Sequence, residues 1–366
     1  MTRNTYHPSR KVRVKGITAK LIIAGLVLLC ILLLLFSGYI VVRSMGKQSL
    51  QQHASQIADS GRTRELSRLE ESEEASLELK EGQILVDGEI YQYNEDIMTF
   101  LCMGVDSRTG ITDTKTPGKA GQADVLLLMV ANPQQKSIQV ISINRDTMTN
   151  IETYDTAGMF AGEEQGQITL QYAYGDGREG SCRLMEKAVS NLLYGMPIHG
   201  YGALDMESIS TLNDAVGGIE VTIPEDMTKY NKNWTEGSLV RLEGKEALTY
   251  LQRRDFTSKE LGTNLRRMER QKQYMSAFIQ QLKGKTKEDI TFPLTLYHAV
   301  EKHMVTSFTA DEITYLASTF LGYEFSMENI ISIPGESVMG EKNEEYHVDD
   351  EALREIIIEV FYEKVR

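Results

Sequence analysis

The apolar positions of this chain fall into three regimes. Leu21 to Val42 (LIIAGLVLLCILLLLFSGYIVV) runs without a single charged side chain. About 20 apolar residues cross a hydrocarbon core, so this run predicts one transmembrane helix. Over residues 43–80 the apolar stripe thins to Leu50, Ile57, Leu66, Leu69, Leu77 and Leu79, interrupted by Gly46 and Gly61. That pattern predicts a helical stalk, roughly 55 Å long if straight. The third regime begins with GQILVDGEIYQYNEDI (Gly82–Ile97), which alternates about Asp87-Gly88 as a small β-hairpin does.

From residue 98 onward, strand runs interleave with helical ones. Strands are predicted at Met98–Val105, Val125–Ala131, Ser137–Ile143, near Tyr201–Leu204, at Ile219–Ile223 and at Asn329–Pro334. Helices are predicted at Cys182–Leu193, Ser208–Val216, Gly244–Arg253, Asn264–Leu282, around His298, and at Asp311–Phe320 and Asp349–Lys364. The expected fold class is α/β (α+β), a central mixed sheet covered by helices and preceded by the membrane span. The predicted division is 1–20 cytoplasmic tail, 21–42 span, 43–80 stalk, 81–97 hairpin, 98–285 main domain and 286–366 an extension packed on it.

Charge orients this layout. Six cationic residues and no acidic one precede the span, and the whole chain carries −13, which leaves −19 beyond the span. Positive flanks stay cytoplasmic, so the acidic bulk is expected outside the cell membrane. A cleaved signal peptide would have a shorter apolar core, about 7–15 residues, and a small-residue cleavage site that this chain lacks. Cys30 falls in the span; Cys102 and Cys182 are too few for a disulfide scaffold or a zinc cluster and read as packing residues. Direct nucleic-acid contact is not expected of an acidic domain across the membrane from the nucleoid, with a basic tail too short for a helix-turn-helix.

Charged residues punctuate the first three strands of the main domain. Asp106 closes the first, Asp124 opens the second, and Arg145 with Asp146 closes the third. The turn Asn132-Pro133-Gln134-Gln135 joins the second and third strands as a hairpin, which gathers all four residues at one sheet end. Two carboxylates there suit Mg²⁺, which prefers oxygen ligands completed by phosphates; the plain alternative is ordinary turn chemistry. A second cluster is basic: Arg253, Arg254, Arg266, Arg267 and Arg270, with Gln271. Arg267, Arg270 and Gln271 stand at i, i+3 and i+4 on one helix face. Arginines at a helix N-terminus oppose its dipole unless an anion compensates, so the cluster suits a phosphate; a solvated face paired with Glu260 and Glu269 is the alternative.

These residues carry a resemblance. GVDSR (Gly104–Arg108), Ala123-Asp124, S-x-x-RDT (Ser142 to Thr147), DAVGG (Asp214–Gly218), AL-x-Y (Ala247–Tyr250) and R-x-x-RQ (Arg267 to Gln271) resemble, in order, the motifs of LytR-CpsA-Psr cell-wall glycopolymer ligases. The resemblance implies a phosphotransferase that moves a glycopolymer from a polyprenyl-pyrophosphate carrier to peptidoglycan, with the lipid in a groove between sheet and helices. By position it implies Asp106 and Asp124 as Mg²⁺ ligands, Asp106 as base, and Arg145, Arg254, Arg267, Arg270 and Gln271 on the pyrophosphate. Gln122 and Gln252 stand where members commonly carry Arg, Asn264 where they carry Asp, and Asn144 where they carry Pro. Each lost charge-assisted contact costs about 1.5–3 kcal/mol, so a second reading is a polyprenyl-lipid-binding scaffold with weak or no transfer.

Other signatures are missing: there is no G-x-x-x-x-G-K-[ST], G-x-S-x-G or H-E-x-x-H. Tyr172, Tyr174 and Tyr194 read as core and rim residues rather than a sugar-stacking platform. The apolar positions near Leu192, Leu212 and Ile279 fit a filled core and a lipid groove equally well. Residues 286–366 display no readable chemistry, and Glu341, Glu344 and Glu345 read as solvated loop. If the domain acts on a membrane lipid, the stalk must be bent, flexible or folded against it.

Overall fold

The structure is a computed structural model that describes residues 44–53, 79–106, 111–114, 116–253 and 263–365. The predicted span, most of the stalk and Arg254 lie outside the described residues. Among those described, no helix is long and apolar enough to cross a membrane.

Residues 44–53, the described start of the stalk, form a helix (α1) that lies against the domain. Leu50 is 1% exposed and joins a core cluster with Phe100, Leu127 and Tyr315. Gly46 permits this approach, since a Cβ there would meet the Asp311 carbonyl oxygen at 2.9 Å. His53 Nε2 reaches the buried carboxylate of Glu186 at 3.1 Å.

After the stalk, β1 (Gln83–Val86) and β2 (Glu89–Tyr93) pair across Asp87 and Gly88, both at positive φ as a type I′ turn demands. Then come β3 (Met98–Asp106), β4 (Gln122–Asn132) and β5 (Ser137–Ile143), successive antiparallel neighbours. A two-stranded ribbon follows, β6 (Met148–Tyr154) with β7 (Phe160–Gln167). Helix α2 (Glu179–Leu192) leads to β8 (Gly200–Asp205), which pairs parallel to β3. Helix α3 (Ile209–Ala215), the small pair β9 (Ile219–Thr222) and β10 (Leu239–Leu242), and α4 (Lys245–Gln252) come next. The long α5 (Thr263–Glu288) and α6 (Phe292–Val300) then lead to β11 (Met304–Thr306) and α7 (Ala310–Phe320). The chain closes with β12 (Ile330–Ser332), the hairpin β13 (Gly335–Met339) and β14 (Glu344–Val348), α8 (Asp350–Phe361) and β15 (Tyr362–Lys364).

The central sheet has the order β11-β8-β3-β4-β5-β12 and is mixed, as the sequence pattern implies. Strand alternation gives it two buried faces. Leu101, Met103, Leu126, Leu128 and Ile141 point to the core shared with α2 and α8, while Phe100, Leu127 and Val140 point to the opposite core. Burial on both faces explains the near-continuous apolar run VLLLMVA.

Two expectations fail here. The C-terminal helix stops at Phe361, because Tyr362–Lys364 extends the β1–β2 sheet by pairing with β2; tertiary pairing overrides the helical pattern. The acidic stretch near Glu344 is not loop but β14, hydrogen-bonded along β13. Cys102 and Cys182 are both free thiols.

Candidate active site

A one-residue irregularity builds the site. Gly104 pairs with Val125 and Val105 with Ala123, so Asp124 is the extra residue of a β-bulge in β4. Ala123 therefore joins Leu126 and Leu128 in one core rather than Val125 on the other face. Asp124 and Gln122 are thereby left to line one pocket together with Asp106. Gly104 allows the close packing behind this corner, since a Cβ there would meet Met206 Sδ at 2.6 Å.

The pocket measures about 780 Å³ and also receives Arg145, Asp146 and Arg267. Arg145 Nη1 donates to Asp124 Oδ1, and Nη2 donates to Gln122 Oε1 at 2.6 Å. Its Nε lies 3.3 Å from Asp146 Oδ1. From the other side, the buried Arg267 donates through Nη2 to the Asp124 carbonyl oxygen at 3.3 Å, with Nη1 3.9 Å from Asp124 Oδ2. Asp124 thus stands between two guanidinium groups.

Beneath them, Asn264 in the first turn of α5 is fully buried. Its Nδ2 donates to Asn144 Oδ1 at 2.5 Å and to Asp146 Oδ2 at 3.2 Å. Two departures from the family pattern, Asn144 and Asn264, therefore contact each other. Gln167 Nε2 donates to Asp146 Oδ1 at 3.2 Å and to the Glu344 carbonyl oxygen at 2.7 Å.

The basic cluster divides. Arg267 lines the pocket, but Arg270 does not: its guanidinium is engaged by Glu225, by the Tyr250 carbonyl oxygen at 3.0 Å and by that of Arg253. Burial pulls the Arg270 pKa below its usual value, with Glu225 opposing. Its position is that of a strut between α5 and the end of α4. Gln271 lines a different cavity and donates to the Leu251 carbonyl oxygen at 3.3 Å.

Sequence reasoning missed Lys229 and Tyr230, which also line the pocket; Arg253, counted in the basic cluster, lines it too. Lys229 Nζ lies 6.0 Å and Arg253 Cζ 5.9 Å from the Tyr230 ring centroid, so one ring holds two cations. No motif marks Lys229, which comes from the irregular segment after β9.

The second cavity is apolar. It encloses about 440 Å³ between the sheet (Cys102, Leu127, Leu204) and the helices (Leu212, Tyr274, Phe278). Met206 lines both cavities, so the polar pocket adjoins the apolar one. Burial pushes the Cys102 thiol up to about 11. Leu212 faces this cavity, whereas Ile279 packs beside the neighbouring core and Leu192 lies elsewhere.

The charged pocket, where Arg145, Lys229, Arg253 and Arg267 stand among Asp106, Asp124, Asp146 and Glu344, abuts an apolar cavity, a layout that complements an amphiphile with a charged head. The chain belongs to the LytR_cpsA_psr family, whose sequence model matches residues 49–360. It is similar to the polyisoprenyl-teichoic acid–peptidoglycan teichoic acid transferase TagU of Halalkalibacterium halodurans, 30% identical over 243 residues, which span 66% of this chain and 71% of that protein. The Bacillus subtilis TagU is 28% identical over 236 residues, 64% of this chain and 68% of its own length. In fold the chain is similar to the crystal structure of B. subtilis TagV, at TM-score 0.56 and 22% identity over 72% of this chain and 96% of that one. TagT bound to LIIa-WTA superposes at TM-score 0.54 and 20% identity, over 72% and 89%.

Proposed function

We propose that this protein is a phosphotransferase that moves a glycopolymer from a polyprenyl-pyrophosphate carrier onto peptidoglycan. It acts outside the cytoplasm, held at the cell membrane by the predicted helix 21–42. The observation that carries this reading is the junction at Met206, where a pocket holding Arg145 and Arg267 meets an apolar cavity. A pyrophosphate head fits the first and the start of a polyprenyl tail the second. The names of the similar transferases supply the donor and acceptor classes.

The chemistry follows from the side chains. The acceptor hydroxyl oxygen forms a bond to the phosphorus that bears the glycan, and the bond from that phosphorus to the bridging oxygen breaks. Polyprenyl phosphate leaves with the electron pair, and Asp106 takes the hydroxyl proton. Arg145 and Arg267 stabilise charge on the phosphoryl oxygens. Without substrate, their partner is Asp124; phosphate competes for the guanidinium groups and releases that carboxylate. Lys229 and Arg253 compensate the neutral amides Gln122 and Gln252 in the pocket lining.

Mg²⁺ fits this donor set. Among the described residues no group of three or more His, Cys, Asp or Glu is placed to hold a metal; Asp106 and Asp124, which line one pocket, would hold the ion together with phosphate and water. Bound there, Mg²⁺ would neutralise charge on the pyrophosphate.

The test is transfer by the full chain in lipid nanodiscs, given a polyprenyl-pyrophosphate-linked glycan, Mg²⁺ and peptidoglycan. Polymer should become attached to the peptidoglycan and should cease to do so with Asp106→Ala or Arg145→Ala. Co-purified polyprenyl lipid without transfer would instead establish the scaffold reading.

A further inference from the structure

We infer that a second cleft, outside the pocket and the apolar cavity, binds the glycan strand of the acceptor, so that several sugar residues beyond the reacting one are gripped. This rests on the proposed transfer reaction, whose acceptor is a polymer and must extend out of the pocket. The cleft measures about 530 Å³. Its polar lining includes Asn150, Gln165, Asn191, Tyr194, His347 and Asp350.

Continuity with the active site comes from shared strands. Met148 pairs with Gln167 and Asn150 with Gln165, so these four share one face of the β6–β7 ribbon. Gln167 lines the catalytic pocket, while Gln165, Asn150 and Met148 line the cleft. Alternate residues on a strand stand about 7 Å apart, so one step along β7 passes from one site to the other. Strand β14 also reaches both sites: it lies beside the start of the ribbon through a parallel bridge between Thr147 and Tyr346, with Glu344 lining the pocket and His347, on the opposite strand face, lining the cleft.

The lining matches an extended sugar chain. Gln165 Nε2 donates to Asn150 Oδ1 at 2.6 Å, which fixes a pair of planar amides at the cleft; such groups bond hydroxyls and acetamido groups without demanding charge. Tyr194 supplies a ring for stacking. It sits at φ +52° in the turn that ends α2, followed by Gly195 at φ +78°. Glycine or asparagine closes a helix in this conformation at lower cost, so a tyrosine there favours use of its ring. The cleft has no Lys or Arg in its lining and carries Asp350, which disfavours an anionic polymer. Tyr194 keeps the core-and-rim position expected of it, half-buried against the main core, and a bound sugar would use its exposed part; Tyr172, fully buried, stays in the core.

The experiment is binding of a peptide-free peptidoglycan tetrasaccharide to the full chain in nanodiscs, by calorimetry, with a lipid-free anionic donor polymer as the second arm. The wild type should bind the tetrasaccharide and ignore the polymer. Tyr194→Asn removes the ring yet tolerates the left-handed backbone, and His347→Ala alters an exposed strand position. Each should weaken binding about tenfold or more and raise the acceptor KM equally, leaving the donor KM and kcat unchanged. Unaltered binding in both variants, no binding by the wild type, or preference for the anionic polymer would each overturn the assignment. Absence of transfer with intact tetrasaccharide binding would remove the proposed reaction and leave the cleft.

Discussion

The two cavities that meet at Met206 differ in how they are kept ready. In the polar pocket, order comes from opposite charges that occupy one another: Asp124 between Arg145 and Arg267, and Asp146 bonded to Asn264 and Gln167. In the apolar cavity, order comes from the walls alone, aromatic and aliphatic side chains on a sheet face and on helices α3 to α7. One site is a set of exchangeable partners; the other is a shape. Substitutions in the first should act on rate, and those in the second on lipid retention.

The largest separation between them is expected from Arg145→Ala, which should lower kcat for transfer by roughly 10²–10³-fold while polyprenyl lipid still co-purifies. Next, Cys102→Trp should fill the apolar cavity. Donor affinity should then fall roughly tenfold or more, which corresponds to about 1.4 kcal/mol of lost contact, with kcat little changed at saturating donor. A mass spectrum of extracted lipid and a donor KM check this pair; equal effects of both substitutions on lipid retention would erase the distinction.

A smaller effect concerns the base of the pocket. Asn264→Asp restores the family's carboxylate but sets it near Asp146 and removes the donor to Asn144. It should destabilise the fold by about 1–3 kcal/mol, read from thermal melting. The smallest concerns α1. The Glu186 hydrogen bond raises the His53 pKa, against desolvation and Arg183, with Glu312 assisting; burial raises that of Glu186. His53 holds its proton more tightly when α1 is docked on the Glu186 carboxylate, so docking weakens as pH climbs through the raised His53 value. Hydrogen exchange at residues 44–53 should quicken severalfold from pH 6 to pH 8 beyond the intrinsic rate; a pH-independent ratio would exclude the pair as a contributor.

The central sheet was legible because β3, β4 and β5 are apolar runs closed by charge, and Asp106, Asp124 and Arg145 do converge on one pocket. The β6–β7 ribbon was not, because FAGEEQGQ is mostly exposed and carries no alternation to read. The helical spacing of Arg267, Arg270 and Gln271 was correct as geometry but silent about surroundings. α5 passes between three neighbourhoods, so one face meets the pocket, Glu225 and the apolar cavity in turn. The C-terminal segment seemed chemically blank because its contribution is backbone as much as side chain: the Glu344 carbonyl oxygen holds Gln167 in place. Lys229 had no motif to announce it.

The bulge at Asp124 also governs which changes in chain length the site survives. Side-chain direction in a strand has a parity, and the extra residue resets it between Val125 and Ala123. Replacing Asp124 leaves that parity intact. Deleting it would close the bulge and leave Ala123 opposite Val105 and Gln122 opposite Asp106, so a single lost codon would remove the carboxylate without turning its neighbours. At this corner of the fold, one extra residue adds a carboxylate to the pocket and leaves the register around it undisturbed.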